Sequence, residues 1–378
     1  MMRNFVLTSE SVTVGHPDKL CDQISDAVVD ACLASDPQGA INAECAAASG
    51  VIFLSLRHRR ELAFDPAATA RRVIDLAGYH NSDAPTRMTV MLDSVLNGEM
   101  AGPSSDPDRP AGHMTTVFGH ACDHTPERIA LPIWSAHRLT ACLDGLRRDG
   151  SLAGLSPDAQ VQVAVRFEER RPVAFDVIAL TFSADTDDLS EAAVREVFVS
   201  DVVAPALGAA EAAPGPETRI VVTRRSERGG PRTHAGLTGR KTADDCYGSF
   251  SRHGSSALSG KDPARVDRIA AYAARHAALS VVEAGLAREC EVQLSYVAGD
   301  SGPISVEVDT FGSGAKPDAD ILRIVGAAFD FRVGAIAERF GLWGLPAARD
   351  GRFYRDLATY GHFGRSDLDL PWETAAEI

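Results

Sequence analysis

Small residues and cations alternate in the C-terminal third, at residues 229–267, in a pattern suited to a polyanion. Two small-residue turns, 236–239 and 259–260, each precede a pair of cations: Arg240 with Lys241, and Lys261 with Arg265. Glycine lets backbone N–H groups approach a ligand closely, and guanidinium and ammonium groups bind phosphate oxygens. Ordinary surface turns are the alternative. Four cations beside two such turns favour a polyphosphate site that includes Ser259.

A helix is predicted directly after Lys261. Asp262 followed by Pro263 is typical of a helix N-cap and first turn, and the spacing of apolar residues predicts a helix to about Gly285. Lys261 would then precede a helix N-terminus, where the helix dipole also favours an anion.

A second candidate site lies near the N-terminus, in Gly15-His16-Pro17-Asp18-Lys19. Pro17 fits the first position of a helix whose apolar residues recur at helical spacing. The same spacing predicts that Asp22, Asp26 and Asp30 lie on its exposed face. Asp18 either complements the helix dipole or binds Mg²⁺ beside His16, since Mg²⁺ needs only one or two carboxylates besides substrate phosphates.

Two further features belong to the N-terminal third. Glu44 lies inside an apolar, strand-like segment, so its carboxylate needs either a bound cation or an internal arginine partner. Residues 98–110 are rich in Gly, Pro, Ser and Asp, which is typical of a loop that can act as a lid.

Composition limits the class of protein. The 378 residues carry a net charge of −14, so the broad basic surface of a nucleic-acid-binding protein is absent. No apolar run reaches the ~20 residues of a membrane span, and Met1–Phe5 lacks a secretory pattern. We therefore expect a cytoplasmic protein without membrane or nucleic-acid partners. The seven cysteines form no C-x-x-C pair, which argues against a zinc or disulfide framework.

Strands and helices mix in a similar way in each third of the chain. We therefore predict an α+β fold of three domains, approximately 1–110, 111–228 and 229–378, which can be discontinuous.

Several of these segments together resemble the S-adenosylmethionine synthetase (methionine adenosyltransferase) family. They are Gly15–Lys19 with Asp22–Ala27, Gly236–Lys241, Ser259–Pro263, Val266–Arg268 with Ala270–Arg275, and Tyr360–Arg365. The resemblance covers nearly the whole chain and keeps the family's order. It implies three related domains of mixed or antiparallel sheet with helices on one face. It also implies a homodimer or homotetramer with active sites between subunits, ATP as substrate, and Mg²⁺ and K⁺ as cofactors.

The same resemblance implies a role for each matching position. In the family, the methionine sulfur attacks C5′ of ATP, and the released triphosphate is cleaved to pyrophosphate and phosphate. His16, Arg240 and Lys261 would be catalytic, next to the leaving triphosphate. Asp18 and Asp267 would bind Mg²⁺, and Glu44 would bind K⁺. The phosphates would be held by His16, Lys19, Arg240, Lys241, Ser259, Lys261 and Arg265, the last where the family usually has lysine.

The sequence departs from the family mainly on the side of the site that would face methionine. His113 and His234 stand where the family has aspartates, and Arg57 falls where a glutamate is expected. Gln160 replaces a phosphate-binding lysine, and Ser226 an aromatic residue expected against adenine. A glutamine that contacts methionine is not evident near Gly98 or Glu99.

These departures leave three functions open. An ammonium group favours carboxylates, whereas imidazole or guanidinium would repel it or bind an anion. The chain can therefore be a methionine adenosyltransferase, a homologue that transfers adenosyl to a different, anionic or non-amino-acid nucleophile or to water, or a non-catalytic partner subunit. The substitutions raise the second alternative, and the retained phosphate and metal residues argue against the third.

Overall fold

The computed structural model describes residues 4–79, 88–104, 106–208 and 213–378. Eleven strands lie within them: β1 Asn4–Val12, β2 Ile41–Ala48, β3 Val51–His58, β4 Thr89–Leu96, β5 Thr115–Cys122, β6 Leu155–Glu168, β7 Arg171–Ala184, β8 Arg219–Arg224, β9 Gly236–Leu237, β10 Glu289–Tyr296 and β11 Ser305–Asp309.

Eleven α-helices lie within the same ranges: α1 Pro17–Ser35, α2 Pro66–Ala77, α3 Leu131–Arg148, α4 Glu191–Val197, α5 Ala204–Leu207, α6 Thr242–Asp245, α7 Val266–Glu283, α8 Asp318–Ala328, α9 Val333–Arg339, α10 Leu345–Ala348 and α11 Tyr354–Leu357. A π-helical turn, Phe198–Val203, joins α4 to α5, and a 3₁₀ turn spans Pro371–Glu373.

Three mixed or antiparallel sheets organise the chain. Their strand orders are β4-β3-β2-β9, β8-β7-β6-β1 and β11-β10-β5. In the first two sheets a central hairpin is followed by a crossover helix and a parallel strand, while the outer strand on the other side is antiparallel. The third sheet has the same hairpin and outer strand, and α8 follows it. The α+β prediction of three related units is confirmed.

One long helix covers one face of each sheet. Helix α1 packs on β2, α3 on β1 and β6, and α7 on β5 and β10. Close backbone contact makes a glycine necessary in the third unit: a Cβ on Gly119 of β5 would lie 1.9 Å from the carbonyl carbon of Ala274 in α7. The hydrophobic core lies in these helix–sheet layers.

Each third of the chain lends a strand to another third. Strand β1 completes the sheet of β6–β8, β5 completes the sheet of β10 and β11, and β9 completes the sheet of β2–β4. The sheets therefore combine residues from different thirds, as the prediction allowed, and the bounds 1–110, 111–228 and 229–378 remain a prediction.

Two details of the sequence interpretation are wrong. Helix α7 begins at Val266 with Arg265 as its N-cap, so Asp262 does not cap it. The buried Asp262 carboxylate instead accepts N–H groups of Ile41 and Ala264, at 2.7 and 2.9 Å. The side chain that the local pattern assigned to the helix thus binds the backbone of β2, a strand from another third of the chain.

The second error concerns the predicted exposed face of α1, where Asp22, Asp26 and Asp30 are all buried. Asp26 forms a bidentate pair with the buried Arg268 guanidinium, 2.7 Å from each oxygen. Asp30 accepts three backbone N–H groups at 353–355. The C-terminal segment covers this face, so the acids hold α1 against it instead of facing water.

Pro17 is the first residue of α1, as predicted. Among the described residues, no helix is both long and apolar enough to cross a membrane.

Candidate functional site

The first group of site residues surrounds the N-terminus of α1. We call it the α1 half-site; it consists of His16, Asp18, Asp158, His234, Arg240 and Lys241. His16 is the N-cap residue, and its Nδ1 accepts the N–H of Asp18 at 3.2 Å. The Asp18 carboxylate accepts the N–H of Leu237 at 3.1 Å, so β9 is fixed to the start of α1. Gly236 is required there, because its Cβ would lie 2.2 Å from the backbone of Pro17.

Two cations face the Asp18 carboxylate. Lys241 Nζ lies 3.2 Å from Oδ2, and Arg240 Nη1 lies 3.8 Å from Oδ1. The Asp18 side chain is only 2% exposed, whereas that of Arg240 is 57% exposed. In such a pair the buried carboxylate can bind a metal ion, and the accessible cation beside it can bind an anionic ligand.

Asp158, His234 and His16 form the other side of this half-site. His234 Nε2 lies 2.7 Å from Asp158 Oδ2, and the His16 and His234 rings meet edge to face with centroids 5.1 Å apart. Burial would raise the pKa of Asp158, but the hydrogen bond from His234 and the charges of His16 and Arg225 outweigh burial and lower it. Burial lowers the pKa of His16 to about 4, so its ring is neutral at pH 7.

The second group of site residues surrounds the N-terminus of α7. We call it the α7 half-site; it consists of His113, Ser259, Lys261, Arg265 and Asp267. Lys261 Nζ lies 2.8 Å from Asp267 Oδ2, and His113 Nε2 lies 2.7 Å from the same oxygen. Burial lowers the pKa of Lys261, an effect that Asp267 only partly offsets. Burial would raise the pKa of Asp267, but Lys261 and His113 outweigh it and lower that pKa.

Several polar atoms of the α7 half-site are buried and have no hydrogen-bond partner within the described ranges. They are Asp267 Oδ1, Ser259 Oγ and Arg265 Nε. Such atoms are costly unless a ligand satisfies them. A free carboxylate oxygen suits a hard cation such as Mg²⁺, and a hydroxyl and a guanidinium N–H suit phosphate oxygens.

The turn before Lys261 needs a glycine. Gly260 has a φ of +79°, and its Cβ would lie 2.0 Å from the carbonyl oxygen of Ala43 in β2. Its N–H donates to Asp26 of α1 at 2.8 Å. The turn is therefore clamped between α1 and β2, which positions Lys261.

Lys19 lies apart from both half-sites. Its side chain is 1% exposed and pairs with Asp22, at 3.0 Å, and with Asp245. Burial would lower its pKa, but these two carboxylates outweigh burial and raise it. Lys19 is thus a buried charge between α1 and α6, and its predicted contact with phosphate would require these pairs to open.

The remaining predicted residues are dispersed. Glu44 and Arg57 are exposed on β2 and β3, and Glu99 and Ser226 are exposed in loops. Gln160 Nε2 donates to Glu10 at 2.8 Å on the neighbouring strand β1. Asn42 lies 3.5 Å from Glu44, which is a weak contact, and no arginine in the described part of the chain pairs with Glu44.

Sequence reasoning missed Asp158. This buried acid accepts Gly230 N–H at 2.8 Å, contacts Arg225 at 3.1 Å and pairs with His234. Its local sequence, with Ser156 and Pro157 before it and Gln160 after it, carries little signal of burial, so it does not stand out as Glu44 does in its apolar strand.

Both half-sites adjoin the same edge of β2. Strand β9 of the α1 half-site pairs with Ala46 and Ala47, and Lys261 of the α7 half-site bridges Asn42. Four to five residues of strand separate these points by about 15 Å. The two cationic turns predicted from sequence therefore lie beside the same strand, β2, but they belong to two separate half-sites.

Comparisons with known proteins cover all three units. The chain matches the family models of S-adenosylmethionine synthetase for the N-terminal domain at residues 4–96, the central domain at 108–226 and the C-terminal domain at 228–374.

Close relatives match over the full length. The chain is 44% identical to an S-adenosylmethionine synthase of Prochlorococcus marinus (strain MIT 9211), over 100% of this chain and 98% of that protein. It is 43% identical to one of Trichormus variabilis, over 99% and 95% of the two chains, and 43% identical to one of Synechococcus sp. (strain RCC307), over 100% and 98%. The chain has three related α+β units and two lysine–carboxylate half-sites. It belongs to the S-adenosylmethionine synthetase family.

Proposed function

We propose that this chain is a methionine adenosyltransferase. The sulfur of methionine attacks C5′ of ATP, and the released triphosphate is cleaved to pyrophosphate and phosphate. The observation that carries the proposal is that each half-site pairs a buried carboxylate with a lysine, Asp18 with Lys241 and Asp267 with Lys261. The relatives' names, S-adenosylmethionine synthase, support the same activity.

The chemistry suits these residues. A thioether is a neutral nucleophile that carries no proton to remove, so displacement at C5′ needs alignment and a stabilised leaving group, not a general base. Lys241, Lys261 and Arg240 would bind the phosphate oxygens, and Arg265 would add a donor through its unpaired Nε. His16, neutral at pH 7, would contribute a hydrogen bond and not a charge.

Asp18 and Asp267 would hold Mg²⁺, and the exposed Glu44 would hold K⁺. The buried, unpartnered Oδ1 of Asp267 fits a cation ligand. When bound, Mg²⁺ neutralises charge that develops on the triphosphate.

We further propose that the active site is completed between two copies of the chain in a homodimer or homotetramer. Leu237, Ala46, Phe53 and Met91 form one cross-strand row in register across β9, β2, β3 and β4. Leu237, Phe53 and Met91 are exposed, and an exposed apolar row is typical of an interface. Burying this face would bring half-sites of two chains together. A monomer in sedimentation equilibrium would contradict this part of the proposal.

A second candidate, adenosyl transfer to a different nucleophile or to water, is favoured by the side chains on the substrate side. His113 and His234 each use Nε2 to bind a buried aspartate, and Arg57 is an exposed cation on β3. These groups offer no carboxylate to a substrate ammonium.

One experiment separates the candidates. The purified chain is incubated with ATP, methionine, Mg²⁺ and K⁺, and the products are identified by mass spectrometry, with Lys261→Ala as the control. S-adenosylmethionine that disappears in the control supports methionine transfer. Triphosphate or adenosine without S-adenosylmethionine supports the second candidate, and nucleotide binding without any product supports a non-catalytic partner subunit.

A triple variant tests the substrate side directly. If the second candidate holds, His113→Asp, His234→Asp and Arg57→Glu together should raise the use of methionine, because they restore carboxylates for its ammonium group. Steady-state assays with ATP and varied methionine measure the change in kcat/KM for methionine. An unchanged or lower kcat/KM for methionine would contradict the second candidate.

A further inference from the structure

His16, Asp158 and His234 converge although they come from three different thirds of the chain. One possible ligand atom from each residue lies within 4.8 Å of the other two. We propose that these three side chains form a binding site for a divalent transition metal of the Zn²⁺ class, separate from the Mg²⁺ ligands Asp18 and Asp267.

The spacing is close to that of a bound metal. Metal–nitrogen and metal–oxygen bonds of about 2.0–2.2 Å place tetrahedral ligands about 3.4 Å apart. The Asp158 Oδ2–His234 Nε2 pair, at 2.7 Å, would open by about 0.7 Å, and the other two pairs, each within 4.8 Å, would close by at most about 1.4 Å. Side-chain rotations cover such changes, since the His16 and His234 rings already meet with centroids 5.1 Å apart.

Asp158 supplies an independent indication of a ligand. Its side chain is fully buried, the Gly230 N–H and His234 Nε2 hydrogen-bond to Oδ2, and Arg225 Nη1 lies 3.1 Å from the same oxygen as an ion-pair partner. Its other oxygen, Oδ1, has no hydrogen-bond partner among the described residues. A buried carboxylate oxygen without a partner is costly, and a cation would satisfy it.

Both histidines can release a ring nitrogen to a metal. If the metal binds Nε2 of His16, the ring proton moves to Nδ1. Nδ1 then gives up the N–H of Asp18 that it accepts at 3.2 Å, and the ring turns to donate to Asp18 Oδ2, which lies 3.8 Å away. Ligating histidines commonly donate their second nitrogen to a carboxylate in this way. At His234 the ring proton likewise moves from Nε2 to Nδ1, and because the side chain is 38% exposed, water can accept a hydrogen bond from Nδ1.

The donor set selects the metal. Two imidazoles and one carboxylate suit Zn²⁺, Co²⁺ or Ni²⁺, whereas Mg²⁺ prefers oxygen ligands. The charges of Arg225 and Lys241 oppose a bound cation, while those of Asp158 and Asp18 favour it. Three protein ligands leave a position open, and the exposure of His234 makes it accessible to a small anion or water.

The test measures Zn²⁺ in the untagged full-length chain with excess Mg²⁺ and no nucleotide. Elemental analysis after gel filtration gives the stoichiometry, and competition with a chromogenic chelator gives the affinity. The background is Cys142→Ser, because Cys142 is the only one of the seven cysteines, all of them described, that is not buried. We expect one equivalent per chain. His234→Ala should weaken binding by more than the roughly 10- to 100-fold typical of residues that only hydrogen-bond to a ligand.

His113→Ala is a matched control. His113 Nε2 also lies 2.7 Å from a buried aspartate, Asp267, but His113 lies outside the cluster. This variant should keep the full equivalent, and circular dichroism should show that both variants are folded. The visible spectrum of the Co²⁺ form should also change in His234→Ala alone. Less than one equivalent in the parent, or equal losses in both variants, would overturn the proposal.

Discussion

The two half-sites share three kinds of residue but differ in what one of their histidines binds. Each contains a lysine, a buried aspartate proposed to bind metal, and a histidine at a position where the resemblance to the family implies an aspartate. At the α7 half-site, His113 and Lys261 share one oxygen of Asp267. At the α1 half-site, His234 pairs with Asp158 and leaves Asp18 to Lys241. The same substitution therefore occupies a proposed metal ligand in one place and builds a separate pair in the other.

The largest effect on the rate should come from removing the lysine that each half-site contains. Lys261→Ala and Lys241→Ala should each lower kcat by about 10²- to 10³-fold, because each removes a cation from the leaving group. The rate of release of pyrophosphate and phosphate measures this. Arg323→Ala is the control, since Arg323 is an exposed cation on α8 that pairs with Asp320. Unequal losses would identify the half-site that contacts the triphosphate more strongly, and wild-type rates in both lysine variants would refute the phosphate assignment.

A smaller effect should separate the two histidines. His113→Ala frees Oδ2 of Asp267 from one hydrogen bond, so divalent metal should bind there more tightly by about fivefold, equivalent to about 1 kcal/mol. Mn²⁺ binding followed by electron paramagnetic resonance measures this without requiring activity. His234→Ala should leave the Mn²⁺ affinity of the Asp267 site unchanged, because His234 pairs with Asp158 and not with Asp267. A change of the same size in both variants would contradict the distinction between the half-sites.

The smallest effect concerns stability in acid. The pKa of His16 in the folded chain is about 4, below the ~6.5 of an unfolded histidine. The neutral ring therefore contributes stability that is complete above pH 6.5 and is lost as the pH falls towards 4. Asp267 of the α7 half-site has a lowered pKa, so its contribution is lost only at more acid pH, below ~4.

His16→Asn should thus reduce the slope of the free energy of unfolding against pH between 6.5 and 4, while other buried histidines with lowered pKa, such as His124 and His276, keep their share of it. Denaturant titrations at several pH values measure the slope, and the imidazole NMR signal of His16 gives its pKa directly. A midpoint near 6.5 would show that burial does not keep this ring neutral.

Local signals in the sequence predict local structure well. Pro17 marks the start of α1, and glycines before cations mark the turns of both half-sites. The errors arise where a distant segment takes over a side chain. Asp262 binds the backbone of β2 instead of capping α7, and Asp26 pairs with Arg268 instead of facing water. Spacing within one helix cannot show that a chain segment more than 200 residues away covers it.

The candidate site has the same limit. Motifs identify its charged members because lysines and arginines beside glycines are visible in sequence. They do not show that His113 binds Asp267 or that His234 binds Asp158, since each pair joins different thirds of the chain. Asp158 was missed because its role depends on burial. A single polar residue in a strand says little about whether its side chain is buried.

The lent strands form a closed ring of dependence: the first third completes the second, the second completes the third, and the third completes the first. A fragment cut at either boundary would therefore leave one sheet with an unpaired edge and remove a strand from another. Unfolding of one third should consequently destabilise another, because it removes a strand from that sheet and exposes an unpaired edge. Swapping single thirds between relatives should succeed only when the lent strand is exchanged together with the sheet that receives it.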